Sequence, residues 1–279
     1  MGHMVTKAPI VSVVIPVYQT GSILLDAVDS ALAQVGVEVE VIVCNDGSDD
    51  DPTVHALKEA EQRGAHVINA LHAGVSATRN AACQAARGRY ILPLDADDRI
   101  EPTFAQQASE VLDARPEVGI VSSVGRYFGE SDATFGTGPF DMGRMLHENI
   151  IAATAAFRRD DWEVVGGYCE DLPVLEDYAL WLRLIRLGRE VEILPEQLFW
   201  YRQWPGQVTR NPSNWHGPQA LIFAENHELF ARFAAEYVDF QYKRSELLKH
   251  YRNRYGPFDH LLHEARKFVN RQREKLRGS

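Results

Sequence analysis

Residues 90–98 read YILPLDADD, an apolar run that ends in three carboxylates within four positions. The apolar part is short enough to be a buried β-strand. Because unpaired carboxylates are costly to bury, we expect Asp95, Asp97 and Asp98 beyond the carboxyl end of this strand and outside the core. Like charges at such short range repel, and a hard divalent cation, which favours carboxylate and phosphate oxygens, would relieve that repulsion. A solvated loop with a helix cap at its end is the alternative.

Strands and helices are predicted to alternate along the first hundred residues. β-Branched and apolar runs predict three further strands, and helical spacing follows each of them. The predicted strands are residues 10–17, 37–44 and 66–70, and the helices are residues 22–36, 51–64 and 75–87. This alternation predicts an α/β fold with a doubly wound, mostly parallel sheet. Ligands of such sheets bind beyond the carboxyl ends of the strands, so the polar residues after the first, second and fourth strands should share one crevice.

The second half of the chain gives a less regular pattern. The predicted elements are helices at 102–114, 176–184, 215–242 and 244–276, strands at 118–124 and 191–194, and a loop or hairpin at 125–139. We therefore expect a catalytic-type α/β domain over residues 5–214 and a helical carboxyl-terminal extension over residues 215–279. Residues 1–4 have the pattern of a cloning remnant.

The composition is that of an ordinary globular protein, with 45% hydrophobic and 24% charged residues. A net charge of -10 argues against a general nucleic-acid binder. The three cysteines are widely spaced in apolar surroundings, which predicts reduced packing residues in a cytoplasmic protein. No run of about 18 apolar residues predicts a transmembrane helix, and no signal-peptide pattern opens the chain.

The charge is unevenly distributed, because residues 241–279 hold eleven Lys and Arg but only four Asp and Glu. Three explanations of this basic, amphipathic segment stay open. It packs on the acidic remainder of the chain, or it pairs with a second subunit in a homodimer. Alternatively, it contacts an anionic membrane surface at the inner face of the membrane, where a lipid-linked acceptor would be presented.

Six segments of the chain, in this order and spacing, resemble family 2 glycosyltransferases of the GT-A fold. They are VSVVIPVYQ (11–19), VCNDGSDD (43–50), GVSATRNAA (74–82), YILPLDADD (90–98), GGY (166–168) and EDYALWLRL (176–184). The resemblance implies a hexosyltransferase that uses a nucleotide-sugar donor, with a uridine nucleotide favoured, and a divalent metal, Mn²⁺ or Mg²⁺. It also implies inverting transfer to a carbohydrate or lipid-linked glycan acceptor in bacterial surface polysaccharide or glycoconjugate synthesis.

The resemblance implies that the first two strands supply the nucleotide-base pocket. Pro16, Val17 and Tyr18 would line the pocket, partly through their backbone, and Asp46 would accept hydrogen bonds from the base. For Asp46 the alternative is a turn residue that binds its own backbone.

The same resemblance implies a sugar-phosphate site around the acidic motif. Arg79 would steady Asp95 or a phosphate, although a surface helix Arg is the alternative. Asp95 would contact the ribose and Asp97 would ligate the metal. Asp98 would either ligate the metal or cap the following segment.

The acceptor hydroxyl must lose a proton during transfer, and a carboxylate across the donor sugar can accept it. By resemblance, Asp177 is the first candidate for this general base and Glu176 the second. A pair that only caps its own helix is the alternative.

Two departures from the family pattern stand out. Trp204 occupies a position where many relatives have His, so a third protein ligand to the metal is in question. His72 lies where Asn is frequent, and the sequence assigns it no role. Two other functions stay open: a nucleotide-sugar-binding protein without turnover, and a sugar-nucleotide nucleotidyltransferase. The latter lacks support because no Gly-rich loop with Arg and Lys follows the first strand.

Overall fold

A computed structural model describes residues 10–204 and 215–250 of the chain. In the first half, strands and helices alternate as the sequence predicts. The elements are β1 (Val11–Val17), α1 (Leu24–Leu32), β2 (Val39–Asp46), α2 (Asp51–Arg63), β3 (His66–Ala70), α3 (Val75–Ala85), β4 (Tyr90–Pro93), β5 (Arg99–Ile100) and α4 (Phe104–Ala114). The bounds of α2 and β3 agree with the prediction almost residue for residue.

The second half contains longer strands than the sequence predicts. The elements are β6 (Val118–Gly129), β7 (Thr134–Phe135), α5 (Met142–Met145), β8 (Ala156–Arg158), α6 (Arg159–Val164), α7 (Glu176–Arg186), β9 (Glu190–Gln203), α8 (His216–Glu225) and α9 (His227–Arg232). The ambiguous segment 125–139 forms a hairpin, in which β6 pairs antiparallel with β7. The predicted strand 191–194 is only one part of β9.

The strands form one mixed sheet, ordered β3-β2-β1-β4-β8-β6-β9-β5, with β7 beside β6. The pairs β3–β2, β2–β1, β1–β4 and β6–β9 are parallel, whereas the short strands β5, β7 and β8 pair antiparallel. This arrangement confirms the predicted α/β fold with a mostly parallel sheet. In the register, Val17 lies opposite Asn45 and Val14 lies opposite Pro93. The residues that follow β1, β2 and β4 therefore leave the sheet at the same edge.

Strand β1 lies at the centre of the fold and is apolar on both faces. Val13 and Ile15 pack in a cluster with α1, α2 and α4, whereas Val14 packs in a second cluster with α3, α6 and α7. A parallel strand covered by helices on both sides needs such a continuous apolar run. The free thiols of Cys44 and Cys83 are buried in the second cluster. Burial raises their pKa values to about 11 and about 12, so they behave as packing residues.

The carboxyl-terminal helices pack against the second helical layer. Ile222 of α8 and Leu229 of α9 are buried in the same cluster as α7. A further helix over residues 234–250 passes close to α5, where the backbone of Glu236 leaves no room for a Cβ at Gly143. The predicted helix break near residue 243 is wrong, because this helix runs through it.

The described residues include no helix that is long and apolar enough to cross a bilayer. Of the basic segment, residues 241–250 lie in the helix described above. Residues 251–279, like residues 205–214 at the predicted domain boundary, lie outside the described part of the chain. The three explanations of the basic segment and the domain boundary therefore stay predictions.

A hydrogen-bonded turn sets the start of β4, which leads into the acidic motif. The backbone N–H of Gly88 donates to Ser12 Oγ at 2.9 Å, and Ser12 Oγ donates to Glu40 Oε1 at 2.6 Å. The backbone N–H of Arg87 donates to the same Glu40 oxygen at 2.6 Å. A Cβ at Gly88 would lie 2.7 Å from the backbone nitrogen of Ser12, so the two chain segments approach more closely than any side chain permits.

We predict that Gly88→Ala lowers the free energy of unfolding by about 1–3 kcal/mol, because β4 must shift away from β1. Urea unfolding followed by circular dichroism measures this loss. Gly217→Ala is the matched control, since a Cβ at this position of α8 meets no atom within 4 Å. Equal stability of the two variants would show that the contact between β1 and the Gly88 turn is not tight.

Candidate active site at the carboxyl ends of the strands

Three side chains that follow the first strands form a cluster at the sheet edge. The ring of Tyr18, after β1, stacks on the ring of His72 with a centroid distance of 4.3 Å. His72 Nδ1 lies 3.0 Å from Oδ2 of Asp46, at the end of β2. The outer face of this pair is accessible, because Tyr18 is 45% exposed. An aromatic surface of this kind at a sheet edge is suited to stack on a flat base.

Asp46 itself is buried and organises the loop that precedes α3. Its carboxylate oxygens accept hydrogen bonds from the backbone N–H groups of Ala73 at 2.8 Å and Gly74 at 3.1 Å. Its role in base binding stays a prediction, since its described contacts are to these two backbone N–H groups and to the ring of His72. No role was predicted for His72, which the structure places between Tyr18 and Asp46.

The acidic motif lies in the turn after β4, but its three carboxylates have different environments. Asp95 and Asp97 are partly exposed, as expected. The expectation that all three lie outside the core is wrong for Asp98, which is 1% exposed. Its burial is possible because Oδ1 accepts a hydrogen bond of 2.7 Å from the backbone N–H of Arg202 in β9. The other oxygen, Oδ2, is buried and has no hydrogen-bond partner among the described residues.

Arg202 of strand β9 and Trp204, which directly follows the strand, hold this turn in place. Arg202 Nε donates to the backbone carbonyl of Asp97 at 2.7 Å, and Nη2 donates to Asp26 at 2.6 Å. The indole Nε1 of Trp204 donates to Asp97 Oδ2 at 3.0 Å. Trp204, at the position where many relatives have His, therefore contacts the acidic motif as a hydrogen-bond donor.

The electrostatics of the turn favour a bound cation. Burial, followed by the charge of Asp95, raises the pKa of Asp97, and burial with the charges of Asp95 and Asp97 raises the pKa of Asp98 well above its usual range. No three His, Cys, Asp or Glu side chains converge as a metal site within residues 10–204 and 215–250. The donor set is nevertheless all oxygen, and the unpartnered Asp98 Oδ2 suits a hard cation that takes further oxygens from a diphosphate.

A buried guanidinium connects the acidic motif to helix α7. Arg79 of α3 has a side chain only 3% exposed, and its Nη2 donates to Asp95 Oδ1 at 2.5 Å. Its Nη1 donates to Glu176 Oε1, in the first turn of α7. Burial alone would lower the pKa of Arg79, but the charges of Asp95 and Glu176 raise it well above its ordinary value. The predicted contact between Arg79 and Asp95 is present, and the contact to Glu176 is an addition.

The second acidic residue of α7 has a separate environment. Asp177 Oδ1 accepts a hydrogen bond from the backbone N–H of Tyr178 at 2.7 Å, and Oδ2 accepts one from Asn149 Nδ2 at 2.9 Å. Burial, with a further contribution from the charge of Glu176, raises the pKa of Asp177 to about 7. A carboxyl group with this pKa can take up a proton near neutral pH. Glu176 is instead bound to Arg79, which favours Asp177 over Glu176 as the base.

The sequence model of the protein family "Glycosyl transferase family 2" matches residues 12–169, which are more than half of the chain. The chain belongs to glycosyltransferase family 2. The match includes the cluster of Tyr18, Asp46 and His72 and the acidic motif, and it ends just before α7.

Several bacterial enzymes are similar to this chain over about two thirds of its length or slightly more. The chain is 27% identical to hyaluronan synthase of Pasteurella multocida over 192 residues, which are 66% of this chain and 20% of the synthase. It is 29% identical to the UDP-Glc:alpha-D-GlcNAc-diphosphoundecaprenol beta-1,3-glucosyltransferase WfaP of Escherichia coli, with 72% of this chain and 80% of WfaP covered. The match spans only 20–27% of the length of the hyaluronan and chondroitin synthases.

Solved structures confirm the GT-A architecture of this family 2 member. Staphylococcus aureus TarS superposes with a TM-score of 0.66 at 17% identity, covering 82% of this chain and 42% of TarS. A shorter form of TarS in complex with UDP-GlcNAc superposes equally well, with a TM-score of 0.66 over 82% of this chain and 73% of that chain. At this level of identity the likeness concerns the fold alone.

We predict that Arg79→Met lowers the free energy of unfolding by about 3–5 kcal/mol, because it leaves Asp95 and Glu176 close together and partly buried without a countercharge. Arg79→Lys should recover only part of the loss, since an ammonium group does not bind two carboxylates through a planar fork. Urea unfolding at pH 7.5 measures both changes. Arg115→Ala is the control, because this exposed Arg binds three carboxylates, whereas Arg79 binds two, and it should still contribute little. A similar loss in both variants would contradict a special role of Arg79.

Proposed function

We propose that the protein is an inverting glycosyltransferase of bacterial polysaccharide or glycoconjugate synthesis, which transfers a sugar from a UDP-sugar to an acceptor hydroxyl. The observation that carries the proposal is the Asp95–Arg79–Glu176 connection. Asp95, the proposed ribose ligand, and Glu176, which is next to the proposed base Asp177, bind the same buried guanidinium. A donor held at the strand edge would therefore have its sugar near Asp177.

The donor proposal rests on the cluster at the sheet edge and on the relatives. Tyr18 and His72 would stack on or border the base, with Pro16 and Val17 forming the floor, and Asp95 would bind the ribose. TarS structures contain UDP or UDP-GlcNAc, and WfaP takes UDP-glucose by its name. A uridine diphosphate sugar is thus the first donor class to test.

Asp97 and Asp98 are the residues that would hold a divalent metal, Mn²⁺ or Mg²⁺. When bound, such an ion stabilises the negative charge that develops on the leaving diphosphate. The raised pKa values of both carboxyl groups mean that protons and cations compete for them, so cation affinity should weaken as the pH falls.

Asp177 is the proposed general base for a single displacement. The acceptor oxygen would form a bond to the anomeric carbon while the bond from that carbon to the diphosphate oxygen breaks. The electron pair of the broken bond leaves with the nucleoside diphosphate, and the acceptor proton passes to Asp177. Attack from the face opposite the leaving group inverts the anomeric configuration.

The acceptor proposal rests on the name of WfaP, which acts on a sugar linked to diphosphoundecaprenol. We propose an acceptor of the same class, a lipid-linked glycan presented at the cytoplasmic face of a membrane. The basic carboxyl-terminal segment would then approach the anionic lipid surface.

We predict that Asp97→Ala abolishes the metal-dependent part of donor binding while leaving the fold intact, because this carboxylate is partly exposed. Thermal-shift titration with UDP, UDP-glucose and UDP-GlcNAc, each with and without Mn²⁺, measures this through stabilisation of the folded state by ligand. Asp160→Ala, which removes an exposed carboxylate of α6, is the control. Equal Mn²⁺-dependent shifts in wild type and Asp97→Ala would remove Asp97 from the metal site.

We predict that Asp177→Asn keeps the UDP-sugar thermal shift but lowers the transfer rate by about 10²–10⁴-fold, because an amide cannot accept the proton. In the wild type the base must be ionised, so the rate should fall as the pH drops below about 7. Release of UDP in the presence of a GlcNAc-diphosphate alkyl lipid measures both effects. Loss of donor binding together with retained turnover would identify Asp177 as a structural residue.

A further inference from the structure

One side chain outside α7 contacts the candidate base directly. Asn149 lies in the segment between α5 and β8, and its Nδ2 donates to Asp177 Oδ2 at 2.9 Å. Its Oδ1 accepts a hydrogen bond of 3.2 Å from the backbone N–H of Ile151. Ile151 is buried in the cluster around α7, so this backbone group is anchored. The acceptor end of the amide is thereby occupied, and the donor end is the one that faces the carboxylate.

We propose that Asn149 is a positioning residue that holds the Asp177 carboxylate in the orientation and the ionised state that proton transfer from the acceptor requires. This inference rests on the proposed function of Asp177 as general base. Together with the backbone N–H of Tyr178, Asn149 supplies one donor to each carboxylate oxygen. Two donors on different oxygens fix the plane of the carboxylate, and the remaining lone pairs stay available for the acceptor hydroxyl.

The charges around Asp177 explain why a neutral donor is needed. Glu176 on the same helix and Asp95 after β4 disfavour its ionised form, while Arg79 of α3 favours it but is already bound to both of those carboxylates. The phenol of Tyr168 lies close to the same group of charges. A hydrogen bond from an amide favours the ionised carboxylate. A second cation would compete with Arg79 for Asp95 and Glu176, whereas the neutral amide of Asn149 does not.

Two substitutions separate this role from a structural one. Asn149→Ala removes both hydrogen bonds, whereas Asn149→Asp keeps an acceptor for the Ile151 N–H but places a second negative charge against Asp177. If Asn149 served only to shape its loop, Asn149→Ala would lower the rate without moving the acidic limb of the pH profile. If Asn149 positions the base, Asn149→Asp should be the more damaged variant. Glu148→Ala, on the adjacent exposed residue, is the control for the segment.

The kinetic readout is the pH profile of UDP release, with a GlcNAc-diphosphate alkyl lipid as acceptor and UDP-glucose or UDP-GlcNAc as donor. For Asn149→Ala we expect a kcat about tenfold lower at pH 7 with the donor KM unchanged, because the base is misoriented. The acidic limb of the pH profile should move to higher pH by about one unit, because the ionised Asp177 carboxylate loses a hydrogen-bond donor. The limb of Asn149→Asp should move further in the same direction, and Glu148→Ala should retain the wild-type profile.

A second readout requires no substrate. The folded-state pKa of Asp177 is raised, so its ionisation destabilises the folded protein as the pH rises from about 4 to about 7. The difference in melting temperature between wild type and Asp177→Asn should therefore change over this range and become constant above it. When Asn149→Ala is added to both the wild type and Asp177→Asn, their difference in melting temperature should become constant only at a higher pH.

The outcomes distinguish this inference from the proposed function. An inactive Asp177→Asn together with unchanged pH profiles in both Asn149 variants would overturn the positioning role and leave the general base in place. A fully active Asp177→Asn would overturn both. Loss of kcat in Asn149→Ala without any movement of the pH limb would reduce Asn149 to a structural residue of its loop.

Discussion

The site depends on one buried guanidinium. Arg79 leaves α3 toward the interior and binds Asp95 from the strand edge and Glu176 from α7, two residues that are 81 positions apart in the chain. Removing these charges from water is costly, and only their mutual compensation makes the arrangement stable. The planar fork of Arg is suited to this geometry because its two terminal nitrogens can bind different carboxylates. The acidic motif and the amino terminus of α7 are thus fixed relative to each other by a single side chain.

The sequence predicted those parts of the fold that are determined locally. Helix α2 has a capping Asp50, Pro52 in its first turn and Gly64 at its end, and each of these signals acts within a few residues. Strands β1 and β2 are long, apolar runs. In contrast, β5, β7 and β8 have only two or three residues each, too few for any periodicity to show. They are strands because a distant partner lies beside them, and β9 extends to 14 residues for the same reason.

At the site, the sequence predicted charges but not their partners. Asp95, Arg79, Glu176 and Asp177 were identified as site residues by resemblance, and the structure brings these four together. The contacts of His72 with Tyr18, of Trp204 with Asp97 and of Asn149 with Asp177 join residues that are 28 to 107 positions apart, and no local pattern marks them. The burial of Asp98 was missed because a backbone N–H of β9, more than a hundred residues away, makes it possible.

The hydrogen bond from Trp204 to Asp97 gives the molecule an intrinsic optical probe. Indole fluorescence responds to nearby carboxylates and to the polarity around the ring, and Trp204 is 47% exposed beside the acidic turn, whereas Trp162 and Trp181 are buried in the core. An ion or nucleotide that engaged Asp97 would alter the surroundings of this indole, whereas those of Trp162 and Trp181 lie in the core. The arrival of a ligand can therefore be followed in real time by stopped-flow emission on the unlabelled protein.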